Sequence, residues 1–190
     1  MTPAMAHAIK LPITFDVSRL QNDVKDLGLD HFIYYNVLQL RAPAHMVDPS
    51  LPMPPPAEDY ADGTWTPWLD SPLLEKSSYL KEVVEYFKEH ATVNLIRLLR
   101  LEAGAIVKEH TDPTLGLHIH KSMIRLTIPI FQSRDVQFIL AGEQVPMQEG
   151  ECWYMNLTEP HSVNNSGTTE RINLTIDIIP NDWIRSLIEN

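Results

Sequence analysis

The chain is poor in cysteine, in clustered basic charge and in long apolar runs, and each shortage excludes something. Cys152 is the only cysteine in 190 residues, so no intrachain disulfide can form, which suits a reducing, cytoplasmic compartment. Fifteen lysines and arginines stand against 25 acidic residues, giving a formal charge of -10. The basic residues are scattered, and a nucleic-acid partner is not expected, because such proteins gather Lys and Arg on one face. No stretch approaches the roughly 20 apolar residues of a membrane span. The opening MTPAMAHAIKLPITF has no long apolar run behind a basic start, so neither a membrane partner nor a secretory signal is expected. Internal repeats are also missing, which excludes solenoids. One domain over residues 1–190 is the expectation at this length, with roughly 70% of the unfolded surface buried.

What is present divides near residue 90. In the first part, residues 1–90, LPITFD at 11–16 reads as a strand, and Asp16 caps a helix over VSRLQNDVKDL that Gly28 ends. HFIYYNVLQL at 31–40 reads as a second strand. From Arg41 through Pro67 there are seven prolines, and neither a helix nor a central strand is expected there. This stretch reads as an ordered surface loop or as a lid. Trp65 and Trp68 either pack it down or line a substrate pocket. SPLLEKSSYLKEVVEYFKEH then predicts one helix from Ser71 to His90. Residues 91–180 are written in short β-branched segments punctuated by Gly, Asp, Pro and Asn, and PNDWIRSLIEN supplies a terminal helix over 181–190. The fold class is mainly β with flanking helices, a closed or double-sheet β core that hides its strand edges.

Two stretches carry the chemistry. KEHTDPTLG places His110 and Asp112 one pleat repeat apart at the end of a strand, and EPHSVNNSGTTER places His161 at the start of another. Two imidazoles and one carboxylate are the ligand set of a non-haem Fe(II) site with open positions. Asp112 and His161 are 49 residues apart, so tertiary folding must close the set. Taken singly, His110 and Asp112 read as a capped turn with a solvated histidine. Arg171, ten residues beyond His161, taken singly reads as a surface ion pair with Glu170 or Asp177. Strand alternation instead puts Arg171, Asn173, Thr175 and Asp177 on one side of RINLTID. An inward arginine there calls for an anion, and a bound dicarboxylate supplies one. A competing pair, His118 and His120, offers an all-histidine site with His161, or a contact at the pocket edge.

RLEAGAIVKEHTD, RLTIPI, GECWYMNLTEPHSVNNSGTTER and INLTIDI together resemble the aspartyl/asparaginyl β-hydroxylase-like family of Fe(II)/2-oxoglutarate dioxygenases, most of all its small stand-alone bacterial members. The resemblance covers about residues 60–180. It implies a double-stranded β-helix, the jelly-roll of cupins, with His110, Asp112 and His161 as catalytic iron ligands. Arg171 is then expected on the distal carboxylate of 2-oxoglutarate, and Arg125 on 2-oxoglutarate or the substrate carboxylate. Thr127 and Asn173 stand where many relatives carry histidine. The implied cofactors are Fe(II), 2-oxoglutarate and O2, with ascorbate as a supporting reductant. The implied partner is a small-molecule substrate, a free amino acid or an amino-acid-derived metabolite. Two alternatives stay open: hydroxylation of Asp or Asn within a peptide or protein, and a metal-binding cupin-like module without oxygenase activity.

Overall fold

The computed structural model describes residues 6–28 and 36–190. The first strand, β1 (Ala8–Thr14), leads into helix α1 (Val17–Leu27), whose buried face is Leu20, Val24 and Leu27. The Asp16 carboxylate accepts the Arg19 amide at 3.0 Å, and Gly28, at a φ of 74°, releases the chain. The expected strand at 31–40 lies partly outside the described residues, from His31 to Tyr35. Its remainder begins β2 (Val37–Pro43).

In the proline-rich region the structure departs from expectation. β2 continues to Pro43, and a four-residue helix α2 (Ala44–Val47) follows. Proline is tolerated because it ends the strand and precedes the helix, where its missing donor interrupts no ladder. Trp65 and Trp68 pack the loop down. The Trp65 ring contacts Tyr60 at 5.3 Å and Trp68 at 6.1 Å, and the Trp68 indole donates to the Gly63 carbonyl at 2.8 Å. Trp68 also opens a short strand the sequence did not announce, β3 (Trp68–Asp70), which pairs with β2.

The single helix expected from Ser71 to His90 is two, α3 (Pro72–Glu75) and α4 (Ser78–His90). The break has a cause in α1. Asp23 reaches across and accepts the amides of Tyr79 and Leu80 at 2.8 and 2.9 Å, capping α4 from outside, while the Ser77 hydroxyl turns back to Leu73 O at 2.9 Å.

Eight strands follow: β4 (Val93–Leu101), β5 (Ile106–His110), β6 (Ile124–Phe131), β7 (Val136–Leu140), β8 (Glu143–Gln144), β9 (Glu151–Met155), β10 (His161–Asn165) and β11 (Arg171–Ile178). The final helix is α5 (Asp182–Glu189). A seven-stranded sheet runs β1-β9-β6-β11-β4-β2-β3 and a four-stranded sheet runs β5-β10-β7-β8, every pairing antiparallel. Two facing antiparallel sheets of this order make the double-stranded β-helix, or jelly-roll.

Two apolar layers hold it. Outside the large sheet, Ile172, Leu174, Ile176 and Ile178 of β11 pack with Leu20 and Val24 of α1, Leu80, Val84 and Phe87 of α4, and Ile184 of α5. Between the sheets, Trp153 and Met155 meet Phe138, Leu140 and Val163. The opposite side of β11 is polar, yet every one of its residues is buried. Polar groups buried on an inner sheet face need partners, and the cavity there is the candidate site. Among the described residues, no helix is long and apolar enough to cross a membrane.

Candidate active site

The four-stranded sheet brings His110 and His161 together directly, for they are paired residues on β5 and β10. Their rings lie 4.3 Å apart between centroids. Asp112 follows β5 in the turn before Pro113; its amide donates to Leu157 O at 2.8 Å and its carbonyl accepts the Leu115 amide at 3.1 Å. That turn swings Asp112 Oδ2 to 3.3 Å from His161 Nε2 and 3.9 Å from His110 Nε2. Ligand atoms of the three lie within 4.8 Å of one another. No other group of three or more His, Cys, Asp or Glu converges in this way among the described residues. His118 and His120 sit in the turn beyond Leu117 and do not line the cavity.

The histidine tautomers fit a metal. His110 Nδ1 lies 2.8 Å from Lys108 O and His161 Nδ1 lies 2.9 Å from Glu159 O. A carbonyl only accepts, so each Nδ1 carries a proton, and it is Nε2, once it gives up the proton it shares with Asp112 in His161, that offers a lone pair to the shared point. The hydrogen bond from His161 holds the Asp112 carboxyl below the usual carboxylate range, against burial. For His161, burial disfavours the charged ring, but Asp112 and the Glu159 carbonyl outweigh it and raise its pKa. The Phe138 ring stacks on His161 at 6.0 Å, only 3° from parallel.

The large sheet supplies the cations. Arg171 opens β11 and is buried, 6% exposed, so the surface ion pair with Glu170 or Asp177 does not form. Its Nε donates to Gln132 Oε1 at 3.2 Å, its Cζ lies 5.9 Å from the Phe138 ring centroid, and its Nη2 has no hydrogen-bond partner. Burial pushes its pKa down to about 10. A buried guanidinium with an unused donor and no carboxylate in contact is a ready receptor for an anion.

Arg125 is handled in the opposite way. Its Nε and Nη2 donate to Asp177 at 2.7 and 2.8 Å, a bidentate pair buried between β6 and β11. Burial works against the charge on Arg125, and Asp177 more than restores it, raising its pKa. Removing one member of such a pair strands the other's charge. Asp177→Ala is expected to cost about 3–5 kcal/mol of stability, whereas Arg125→Met combined with Asp177→Leu should lose far less; denaturant melts of the two variants check this.

These side chains share one cavity of about 210 Å³ lined by His110, Asp112 and His161 on one side and Arg125, Thr127, Arg171, Asn173 and Thr175 on the other. Thr127 and Asn173 therefore face it, Asn173 as alternation implies, and Asn173 Oδ1 is buried without a hydrogen-bond partner. Larger clefts exist on the surface, one lined by Val24, Phe131 and Thr169, but they lack this group of ligands. Three residues near the site escaped sequence reasoning. Phe138 is the wall shared by His161 and Arg171. Gln132 holds Arg171. Arg97 on β4, opposite Thr175, has a buried Nε with no partner, and burial first, then Arg125, pushes its pKa down to about 10. Only Arg97 had a legible signal, a charge inside the apolar run VNLIRLLRL.

Comparisons with known proteins bear on the family and the fold. A family model for aspartyl/asparaginyl β-hydroxylase matches residues 70–180. L-proline cis-4-hydroxylase of Rhizobium meliloti (strain 1021) is 26% identical over 133 residues, 70% of this chain and 46% of that protein. The chain thus spans just under half the length of that curated relative. A 2OG-Fe(II) oxygenase family oxidoreductase from Burkholderia pseudomallei superposes with a TM-score of 0.55 at 13% identity, covering 90% of this chain and 83% of that one. The non-heme monooxygenase ThoJ in complex with Ni gives 0.53 at 12% identity, covering 92% and 74%. At such identities the likeness is one of fold. The matched family model extends from β3 through β11 and takes in both stretches that build the site, and the chain belongs to the aspartyl/asparaginyl β-hydroxylase family.

Proposed function

We propose that this chain is an Fe(II)- and 2-oxoglutarate-dependent dioxygenase that hydroxylates an unactivated C–H of a free amino acid or a small amino-acid-derived metabolite. The observation that carries the reading is the convergence in one cavity of three metal-ligand atoms and a buried, unneutralised arginine. His110, Asp112 and His161 hold the metal, and Arg171 holds the distal carboxylate of 2-oxoglutarate. Bound there, the pair supplies oxidative decarboxylation to succinate and CO2, coupled to transfer of an oxygen atom from O2 to the substrate. The protein's own part is placement and exclusion of water. Leu99, Leu101, Met155, Leu157 and Val163 make the apolar walls. Arg125 lines the cavity but is held by Asp177, which leaves Arg97, within electrostatic reach of Asp112 and with a buried Nε lacking a partner, as the cation suited to the carboxylate of an amino acid.

Size favours a small substrate. A cavity of about 210 Å³ falls below the roughly 300–1,000 Å³ typical of drug-sized ligand sites, and a peptide or protein substrate asks for an open groove instead. In this reading residues 1–190 act as one catalytic domain, and the buried Cys152 and acidic surface suit a cytoplasmic enzyme.

Purified protein given Fe(II), ascorbate, 2-oxoglutarate and a panel of amino acids is expected to form succinate above the no-substrate level and a product one oxygen atom heavier by mass spectrometry. Metal plus 2-oxoglutarate at about 100 times Kd should add roughly 2.7 kcal/mol of stability by mass action, read as a rise in Tm. A Tm that responds to metal but ignores 2-oxoglutarate would establish the non-oxygenase module instead.

A further inference from the structure

We infer that Gln132 is a positioning residue that makes the site selective for a dicarboxylate, because it fixes the Arg171 guanidinium without neutralising it. The inference rests on the proposed role of Arg171 and deepens it. Gln132 follows the last residue of β6, beside the start of β11, where Phe131 pairs with Ile172. Its Nε2 donates to Met147 O at 2.7 Å and its Oε1 accepts from Arg171 Nε at 3.2 Å. The Met147 carbonyl cannot donate, so the nitrogen end of the amide belongs there and the oxygen end must face the arginine. Its backbone is held as well. The Gln132 amide approaches Glu149 Oε2 at 3.4 Å, and Gln21 Nε2 ties that same oxygen at 2.7 Å while also reaching Ile130 O at 2.8 Å.

The two arginines of the cavity show why a neutral acceptor matters. Arg125 is gripped by a carboxylate, so its charge is already answered within the protein. Arg171 is gripped by an amide of nearly the same shape as a glutamate, which supplies orientation and leaves the full charge, with Nη2 unused. The amide oxygen carries no formal charge and so lacks the ion-pair attraction a carboxylate would add, and an incoming carboxylate meets a preorganised cation with no internal competitor. Glutamate at 132 would install that competitor in nearly the same volume.

Binding of 2-oxoglutarate and of 2-oxopentanoate, which has a methyl in place of the distal carboxylate, is compared by calorimetry on the Fe(II)-loaded chain under nitrogen. In Gln132→Glu the affinity for 2-oxoglutarate should fall roughly 10- to 100-fold, with affinity for 2-oxopentanoate and for Fe(II) unchanged. Gln132→Leu, which loses the acceptor without adding charge, should narrow the preference for the dicarboxylate roughly fivefold. A preference unchanged in Gln132→Glu, or equal weakening of both acids, overturns the inference. Should Gln132→Glu not fold, Gln132→Leu decides alone, and an unchanged preference there overturns it. Wild-type protein showing no preference between the two acids would instead sink the co-substrate reading of Arg171 itself, before Gln132 is tested.

Discussion

Asp112→Ala is expected to abolish Fe(II) binding and turnover while leaving the fold intact. Asp112 is the only carboxylate among the three convergent ligands, and it carries the negative charge that two neutral imidazoles cannot provide. Losing even an outer partner of a metal ligand costs about 10- to 100-fold in affinity, so losing the ligand itself should exceed that. The fold should survive because the turn rests on backbone bonds, the 112 amide to Leu157 O and the Leu115 amide to the 112 carbonyl, and alanine keeps both. Equilibrium dialysis for iron and circular dichroism for the fold separate the two effects. Full activity in the variant would show that the metal, if any, sits elsewhere.

Arg171→Met should remove 2-oxoglutarate binding while sparing the metal, and it should not lower the stability of the unliganded chain. Truncating one partner of a desolvated charge pair costs at least about 2 kcal/mol, roughly 30-fold in affinity. Without ligand, however, the same guanidinium is a buried charge, and its pKa pushed down to about 10 by burial marks the strain of keeping it there. Methionine fills a similar volume with no charge to desolvate, so the melting temperature of the apo variant should equal or exceed the wild type. The wild type gains its stability back on binding; the variant should gain nothing from 2-oxoglutarate. Retained affinity in the variant would assign the anion to Arg97 or Arg125.

Much of the scaffold is legible because strands impose a period of two. RINLTID declares its two faces, and the structure sets Ile172, Leu174 and Ile176 against the helices with Arg171, Asn173 and Thr175 toward the cavity. His110 and Asp112, two residues apart, are legible as a pair for the same reason. What stayed hidden depends on partners distant in sequence. Nothing near Ser77 says that Asp23 will cap α4 and split the expected helix. Nothing near Arg125 says that Asp177, 52 residues on, will hold it. β3 is three residues long and exists only because β2 offers it an edge. Gln132 resembles any polar residue after a strand; its meaning comes from Met147 and Arg171 together.

The division of labour between the sheets has a mechanical consequence. The proposed metal ligands belong to the four-stranded sheet and its Asp112 turn, whereas Arg171, Arg125 and Arg97 all belong to the seven-stranded sheet. In the proposed reading the distance from substrate to metal follows the spacing of the two sheets, which Trp153, Met155, Phe138 and Val163 fill. Close-packed interiors do not absorb even one methylene silently. In such a design, the choice of which carbon is attacked can be retuned by the thickness of the layer between, including at Trp153, which belongs to that layer without lining the cavity.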